Sequence, residues 1–316
     1  MTALQTVPLG GKNVLPVTNF GLGTAPIGNL YNPVPDAESD ATVQTAYELG
    51  VRLFDSAPLY GRGEAELRLG RALKGVPRDS YVISTKIGRV LNADRSDFTY
   101  DYSYDGVMRS LEGSLERLGT DRIDIVLVHD PDAVDNERNA LEWAFPTLQD
   151  LRDQGVIKAV GAGMNQWEME QRFAEQADPD VFLLAGRYTL LEQTSLDFLK
   201  LCKEKGIGIF LGGVYNSGIL ATGPKENAKY NYANAPAEIL EKARNIKAIC
   251  DRYDVGLNVA ALHFAQAHPT VTALVVGAVK PSEVEANVAA LDADVPAELW
   301  QELRAEELIE ADAPLP

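Results

Sequence analysis

The chain has 316 residues, of which 46% are hydrophobic and 24% charged, as expected for a globular protein with a large core. Its 29 basic and 46 acidic residues give a net charge of −17, which argues against a surface that binds nucleic acid or an anionic membrane. The apolar runs are too short to span a membrane, and no secretory signal is visible. Cys202 and Cys250 lack the spacing of a metal site or a disulfide framework. We therefore expect a cytoplasmic protein without a metal.

Short apolar runs alternate with amphipathic stretches along the chain, and no Pro/Ser-rich linker divides them. Residues 8–17 come first and predict a hairpin that turns at Gly10-Gly11. The apolar runs predict eight strands, at residues 20–22, 51–54, 81–85, 123–128, 157–160, 181–184, 207–211 and 273–276. Helical patterns follow at 36–49, 63–73, 104–118, 137–154, 166–176, 195–205 and 257–267, and one more follows the last strand. Residues 237–253 and 296–309 predict two further helices outside this alternation.

The alternation of strands and helices predicts an α/β fold with parallel strands, because each helix must return the chain to the same edge of the sheet. An open doubly wound sheet is the alternative. It would carry a G-x-G-x-x-G after its first strand if it bound a dinucleotide, and residues 21–28 and 161–166 do not fit that pattern. We predict a single domain over residues 1–316, a (β/α)8 TIM barrel with an N-terminal β-hairpin and two extra helices.

Four polar side chains follow the ends of three consecutive predicted strands. Asp55 ends the second strand and Tyr60 follows it, Lys86 ends the third, and His129 ends the fourth. Each residue alone has a structural explanation, such as a turn cap or a solvated lysine at the rim. Neighbouring strands lie only about 4.8 Å apart, so the four side chains together predict an active site at the carboxyl end of the barrel.

This set of residues favours proton transfer between an alcohol and a carbonyl. A lysine beside Tyr60 would favour the ionised phenol, and Asp55 would hold the ammonium in place. His129 would form a hydrogen bond at the same substrate oxygen. A phenol of this kind moves protons and supplies no electrons, so the reaction also needs a hydride carrier.

The chain resembles the aldo-keto reductase family over nearly its whole length. The resemblance is carried by FGLGTAPIG (20–28), FDSAPLYGRGEAELRLGRAL (54–73), STKIGR (84–89), DRIDIVLVHDPD (121–132), AVGAGMN (159–165) and VVGAVKPSEVEAN (275–287). It implies a (β/α)8 barrel with an N-terminal hairpin and two extra helices. It also implies that Asp55, Tyr60, Lys86 and His129 form the catalytic tetrad.

The resemblance further implies a nicotinamide cofactor that lies across the barrel mouth. Asn165 would hold the carboxamide, with Met164 where the family usually has serine. Ala185 and Gly212 also depart from the family, which often has a glutamine at the first position and a stacking aromatic residue at the second. The loop 212–220 would cover the pyrophosphate. The expected cofactor contacts are Thr24, Asp55, Met164, Asn165, Asn216, Ser217, Gly218, Gly277, Lys280, Glu283 and Asn287.

The last strand and its helix bear on cofactor choice. Relatives that prefer NADPH usually hold its 2′-phosphate with a Lys-Ser pair and an arginine, where this chain has Gly277-Ala278 and Glu283. A carboxylate repels a phosphate and accepts hydrogen bonds from a free ribose hydroxyl. Lys280 is the nearby cation that remains in the sequence. We expect NAD to be preferred, with weaker use of NADP.

The stretches 185–191 and 212–220 resemble a branch of the family that oxidises sugars at C1 to lactones. We therefore expect an NAD(P)-dependent oxidation of an aldose such as L-fucose or D-threo-aldose. The alternatives are oxidation of pyridoxal at its 4-position, general NADPH-dependent aldehyde reduction, and a non-catalytic regulatory subunit. Substrate contacts are expected from Tyr60, His129, Asp130 and Tyr31, and the oligomeric state stays open.

Overall fold

The computed structural model describes residues 4–12, 14–30 and 32–316, in which eight parallel strands close into a barrel. The barrel strands neighbour one another in chain order, and the last strand pairs with the first. This arrangement confirms the predicted α/β TIM barrel. The strands in chain order are β1 (Thr6–Pro8), β2 (Pro16–Thr18), β3 (Phe20–Gly23), β4 (Leu53–Asp55), β5 (Val82–Ile87), β6 (Arg89–Leu91), β7 (Phe98–Tyr100), β8 (Ile125–His129), β9 (Ala159–Met164), β10 (Val181–Ala185), β11 (Gly208–Gly212), β12 (Lys229–Tyr230), β13 (Ala233–Asn234) and β14 (Val271–Gly277).

Helices follow the barrel strands, and the two predicted extra helices are present as α9 (Ala237–Arg252) and α12 (Ala297–Ala305). Within the described ranges, no helix combines the length and the apolar character needed to cross a membrane. The helices are α1 (Asp36–Glu48), α2 (Glu64–Ala72), α3 (Tyr104–Leu118), α4 (Glu137–Asn139), α5 (Phe145–Asp153), α6 (Trp167–Gln176), α7 (Leu196–Lys205), α8 (Ile219–Thr222), α9 (Ala237–Arg252), α10 (Leu257–Gln266), α11 (Pro281–Leu291) and α12 (Ala297–Ala305).

The helix predicted over residues 137–154 contains one irregular turn. A π-helical turn, Ala140–Ala144, separates α4 from α5. Pro146 lies in the first turn of α5 and has no amide to donate to the carbonyl four residues earlier. The predicted helix is therefore present, and its second turn is π-helical rather than α-helical.

Among the residues that the structure describes, three two-stranded hairpins lie outside the barrel. The hairpin β1–β2 is the predicted one, and Thr6 pairs with Thr18 across it. The hairpins β6–β7 and β12–β13 were not predicted, because their strands are only two or three residues long and none of their residues is fully buried. In the first, Arg89 pairs with Tyr100 immediately after barrel strand β5.

The core has two layers. One cluster fills the barrel interior with side chains such as Leu53, Leu127 and Phe210, and Leu9 and Val17 near the β1–β2 hairpin belong to it. The larger cluster packs the outer faces of the strands against the helices. Strands buried on both faces carry nearly continuous apolar runs, which explains why the sequence pattern located them.

A buried arginine joins several segments where β10 begins. Arg152 is 1% exposed, and it donates to Asp180 Oδ2 at 2.8 Å and to Asp178 Oδ2 at 2.9 Å. Asp180 also accepts from the backbone amides of Val160 at 2.9 Å and Lys12 at 2.9 Å. The carboxylate of Asp180 thus links β9, β10 and the hairpin turn through one buried charge.

We expect Asp180→Ala to lower the free energy of unfolding by about 3 kcal/mol, because it leaves the Arg152 guanidinium buried without its main partner. Urea denaturation followed by circular dichroism measures the change. Glu142→Ala is the matched control, since it breaks the exposed Arg138–Glu142 pair and should change stability by no more than about 0.5 kcal/mol. Equal effects of the two variants would contradict this account.

Candidate active site

A buried ion pair lies where β4 and β5 end. The Lys86 Nζ donates to Asp55 Oδ2 at 2.7 Å and to the carbonyl of Ser56 at 2.7 Å. Lys86 is 1% exposed and Asp55 is 2% exposed. The barrel register brings them together, because Asp55 pairs with Ser84 and Lys86 follows two residues later on the same face of β5.

Neighbouring hydroxyl groups complete the hydrogen bonding around this pair. Ser84 Oγ donates to Asp55 Oδ1 at 2.8 Å. Thr24 is fully buried, and its amide and hydroxyl both donate to the Asp55 carbonyl, at 2.9 and 3.0 Å. Both oxygens of the buried carboxylate are therefore satisfied, which offsets part of the cost of burying the charges.

Tyr60 lies over the ion pair in the loop after β4. Lys86 Nζ is 4.9 Å from the centroid of its ring. The loop reaches this position by close backbone contact, since a Cβ on Gly61 would lie 1.7 Å from the carbonyl oxygen of Gly28. Gly61 also has a φ of 60°, which a residue with a side chain rarely adopts. A glycine at this position therefore places the phenol beside the buried ammonium.

His129 ends β8 beside Tyr60, with 6.0 Å between the ring centroids and 90° between the ring planes. It is 5% exposed, and its carbonyl accepts from the Tyr102 hydroxyl at 2.7 Å. Burial lowers the pKa of the imidazole well below 6.5, and the charges of Lys86 and Arg89 lower it further. A ring of this kind is neutral at pH 7 and can donate one hydrogen bond to a substrate oxygen.

Asp130 follows His129 and pairs with a residue that sequence reasoning missed. Arg89 Nη2 donates to Asp130 Oδ2 at 2.6 Å. Burial raises the pKa of the Asp130 carboxyl to about 6, although the guanidinium opposes this shift. The expected substrate residue Asp130 thus lies next to His129, with a cation on its other side.

A cavity of about 880 Å³ opens beside Tyr60 and Asp55. Its walls include the glycines Gly212, Gly213 and Gly218, whose small size leaves room for a bulky ligand. Asn216 is 2% exposed, and its Oδ1 has no hydrogen-bond partner among the described residues. A buried acceptor without a partner suits a ribose hydroxyl or a carboxamide. The cavity therefore fits a nicotinamide dinucleotide.

The structure brings most of the expected cofactor residues to this cavity. Three others stand apart from its lining: Thr24 and Met164 are buried behind the site, and Lys280 is exposed at the start of α11. Tyr31 lies outside the described residues. The predicted residues that line the cavity are Asp55, Asn165, Asn216, Ser217, Gly218, Gly277, Glu283 and Asn287.

Contacts within the protein position several of these side chains. Asn165 Nδ2 donates to the Ala185 carbonyl at 2.9 Å, and Asn287 Oδ1 accepts from the Tyr215 hydroxyl at 2.8 Å. Glu283 Oε2 accepts from the Val279 amide at 2.7 Å, so the carboxylate is fixed against the segment that precedes α11. This hydrogen bond holds a negative charge at the edge of the cavity.

Sequence reasoning missed the hairpin β12–β13 as part of the site. Lys229, Asn231 and Tyr232 from this hairpin line the cavity, as does Asn258 at the start of α10. The Tyr232 amide donates to Ser217 Oγ at 3.0 Å, which links the hairpin to the loop after β11. The adjacent asparagines and tyrosines of residues 230–234 indicate a turn, but nothing in them points to the barrel mouth.

Comparison with known proteins agrees with this geometry. The sequence matches the Aldo/keto reductase family over residues 19–307. It is 40% identical to pyridoxal 4-dehydrogenase of Microbacterium luteolum, over 95% of this chain and 96% of that protein. It is 38% identical to D-threo-aldose 1-dehydrogenase of a Pseudomonas species, over 96% of this chain and 98% of that protein.

Solved structures share the fold. The holo form of an aldo-keto reductase from Bacillus halodurans superposes with a TM-score of 0.80 at 22% identity and covers 98% of both chains. The family match extends over most of the chain, and the named relatives are dehydrogenases. The protein therefore belongs to the aldo/keto reductase family and is an oxidoreductase that acts on a small molecule with a nicotinamide cofactor.

Proposed function

We propose that the protein oxidises the hemiacetal carbon of an aldose, such as D-threo-aldose or L-fucose, to the lactone with NAD as the acceptor. The reaction type is inferred from the buried Lys86–Asp55 pair, because Lys86 Nζ lies 4.9 Å from the centroid of the Tyr60 ring. The relatives named for aldose and pyridoxal oxidation, at 38% and 40% identity, support the direction of the reaction.

Each polar residue has a distinct task in this proposal. A nicotinamide held in the cavity lined by Asn165 and Asn216 would supply the acceptor for the hydride of the hemiacetal carbon. Tyr60 takes the proton of the substrate hydroxyl, and the Lys86 ammonium stabilises the negative charge on the phenol oxygen. Neutral His129 donates a hydrogen bond to the same substrate oxygen and orients it. Asp55 keeps the ammonium in position through its 2.7 Å contact.

Pyridoxal is the second candidate substrate, because the relative that oxidises it is 40% identical over nearly the whole chain. Its aldehyde closes with the neighbouring hydroxymethyl group into a hemiacetal, so the same proton and hydride transfers apply. Asp130 favours an aldose, since a carboxylate accepts hydrogen bonds from sugar hydroxyls. Glu283 disfavours general NADPH-dependent aldehyde reduction, because it places a carboxylate at the cavity wall.

We also propose that the protein works in the cytoplasm. Cys202 and Cys250 are both free and buried. Burial raises the pKa of the Cys250 thiol to about 11, so it stays protonated and unreactive. Free thiols of this kind suit a reducing compartment.

Purified protein incubated with NAD and single substrates tests the proposed activity. The substrates are L-fucose, D-arabinose, L-galactose, D-galactose and pyridoxal, and the absorbance of NADH reports turnover. We expect the highest kcat/KM with L-fucose or D-arabinose. Pyridoxal as the best substrate would select the second candidate. Efficient aldehyde reduction with NADPH, and no NADH from any of the five compounds, would overturn both.

Tyr60→Phe removes the proposed proton acceptor and leaves the ring in place. We expect kcat to fall by about 10²–10⁴-fold, while the Kd for NAD, measured by fluorescence titration, changes by less than about twofold. Tyr104→Phe is the matched control, because Tyr104 is 57% exposed on α3 and should keep full activity. A Tyr60→Phe variant with near-normal kcat would show that another group takes the proton.

Glu283→Ala tests the proposed cofactor choice. Removal of one negative charge near the adenosine ribose should tighten NADP binding by about 5- to 10-fold, corresponding to about 1 kcal/mol, and weaken NAD binding. Isothermal titration with both cofactors measures the change. Glu285→Ala, an exposed position on the same helix, is the control for net charge. If wild-type protein bound NADPH more tightly than NADH, the proposed preference would be wrong.

A further inference from the structure

Arg89 is held in a defined position at the edge of the active site. It begins β6, three residues after Lys86. Its guanidinium carbon lies 5.2 Å from the ring centroid of Tyr100 and 5.6 Å from that of Phe98. Its side chain is only 11% exposed, and Nε is buried without a hydrogen-bond partner among the described residues. The hairpin β6–β7 therefore places one cation in a fixed orientation.

Asp130 lies between this cation and the catalytic histidine. Its Oδ2 is 2.6 Å from Arg89 Nη2 and 3.5 Å from His129 Nε2. The backbone of Asp130 has a φ of 41°, in the left-handed region that aspartate tolerates better than most residues. One carboxylate oxygen is therefore shared by the guanidinium and the imidazole edge.

The guanidinium changes what this carboxylate does to the imidazole. A carboxylate alone at this distance would favour protonation of the ring. Arg89 compensates its charge, so the pair acts on His129 more as a dipole than as an anion. The carboxylate oxygen still favours an N–H on the nearer nitrogen, Nε2, while buried Nδ1 has no hydrogen-bond partner among the described residues.

We propose that Arg89 is a positioning residue for the reaction. It compensates the charge of Asp130, so that the His129 ring stays neutral, and it holds the carboxylate where it favours the proton on Nε2. At 3.5 Å the Nε2 and Oδ2 atoms are too far apart for a good hydrogen bond. The N–H is therefore oriented by the carboxylate and still available to a substrate oxygen. The role in catalysis rests on the function proposed above, whereas the state of the ring does not.

The other ionisable groups near Asp130 and His129 agree with this assignment. Lys86 on β5 favours the neutral imidazole and the ionised carboxylate, and Asp132 on the same loop opposes ionisation of Asp130. On α6, burial raises the pKa of Glu170 well above its usual range, which favours the neutral form of this side chain. Burial likewise raises the pKa of the Tyr102 hydroxyl, which stays protonated. Arg89 is therefore the cation that directly balances Asp130.

Nitrogen NMR of the imidazole rings tests the proposal without any substrate. The chain has three histidines, and His129→Gln assigns the signals of His129. In wild-type protein at pH 7 we expect a neutral His129 ring with its proton on Nε2. In Arg89→Met we expect the pKa of His129 to rise by about one unit, or its proton to move to Nδ1. Arg89→Lys keeps the charge and should restore most of the wild-type behaviour.

Arg109→Met is the matched control, because Arg109 is 57% exposed and pairs with Asp101 on the surface. It should leave the His129 signals unchanged, and unchanged signals of His263 and His268 in each variant show that the fold is intact. Wild-type protein with the proton on Nδ1 would overturn the proposal. Identical His129 titrations in Arg89→Met and wild type would also overturn it.

A kinetic measurement then connects the ring to the reaction. With L-fucose or pyridoxal, whichever the wild-type enzyme oxidises, the acid limb of the kcat profile should move to higher pH in Arg89→Met and return in Arg89→Lys. If the NMR titration of His129 changes in Arg89→Met but the pH profile of kcat does not, the proposed role of the ring in catalysis is wrong. The proposed effect of Arg89 on the His129 ring would then still hold. If neither compound is oxidised, the proposed function fails and the NMR result still decides the positioning.

Discussion

The active site depends on one buried ion pair, Lys86 with Asp55, which is almost inaccessible to solvent. Removing two charges from water costs several kcal/mol for each, and their attraction offsets this only when further hydrogen bonds satisfy them. The Ser56 carbonyl and the Ser84 hydroxyl provide those bonds. A pair of this kind is weak evidence for stability. Its position beneath Tyr60 explains it better, because an ammonium fixed in a dry site acts strongly on a phenol oxygen.

A second pair of charges, Arg89 with Asp130, lies on the other side of His129. The two pairs differ in what they do to their neighbours. Lys86 presents its positive charge towards the Tyr60 ring, whereas Arg89 is compensated by Asp130 and stacked against Phe98 and Tyr100. The site thus combines a phenol that lies beside a buried ammonium with an imidazole that burial keeps neutral. Such a division of roles suits proton transfer to Tyr60 and hydrogen bonding by His129.

The barrel and the convergence of Asp55, Tyr60, Lys86 and His129 at its carboxyl end could be predicted because both depend on short-range patterns. Strands buried on both faces appear as apolar runs, and parallel strands bring their carboxyl ends together, so Asp55, Lys86 and His129 had to converge. The role of Arg89 could not be predicted in this way, since it depends on a three-residue hairpin strand that has no periodic signal. Cavity residues such as Asn258 and Tyr232 could not be predicted either, because only long-range packing places them at the barrel mouth.

The central claim is that the protein removes a hydride from a hemiacetal carbon and passes it to NAD. Transfer of deuterium tests it most directly, with L-fucose labelled at C1, pyridoxal labelled at its aldehyde carbon, and mass spectrometry of the cofactor and the product. The account predicts that one of the two compounds gives deuterated NADH and an unlabelled lactone in equal amounts. An unlabelled cofactor with both compounds, from enzyme that reduces aldehydes with NADPH, would contradict it.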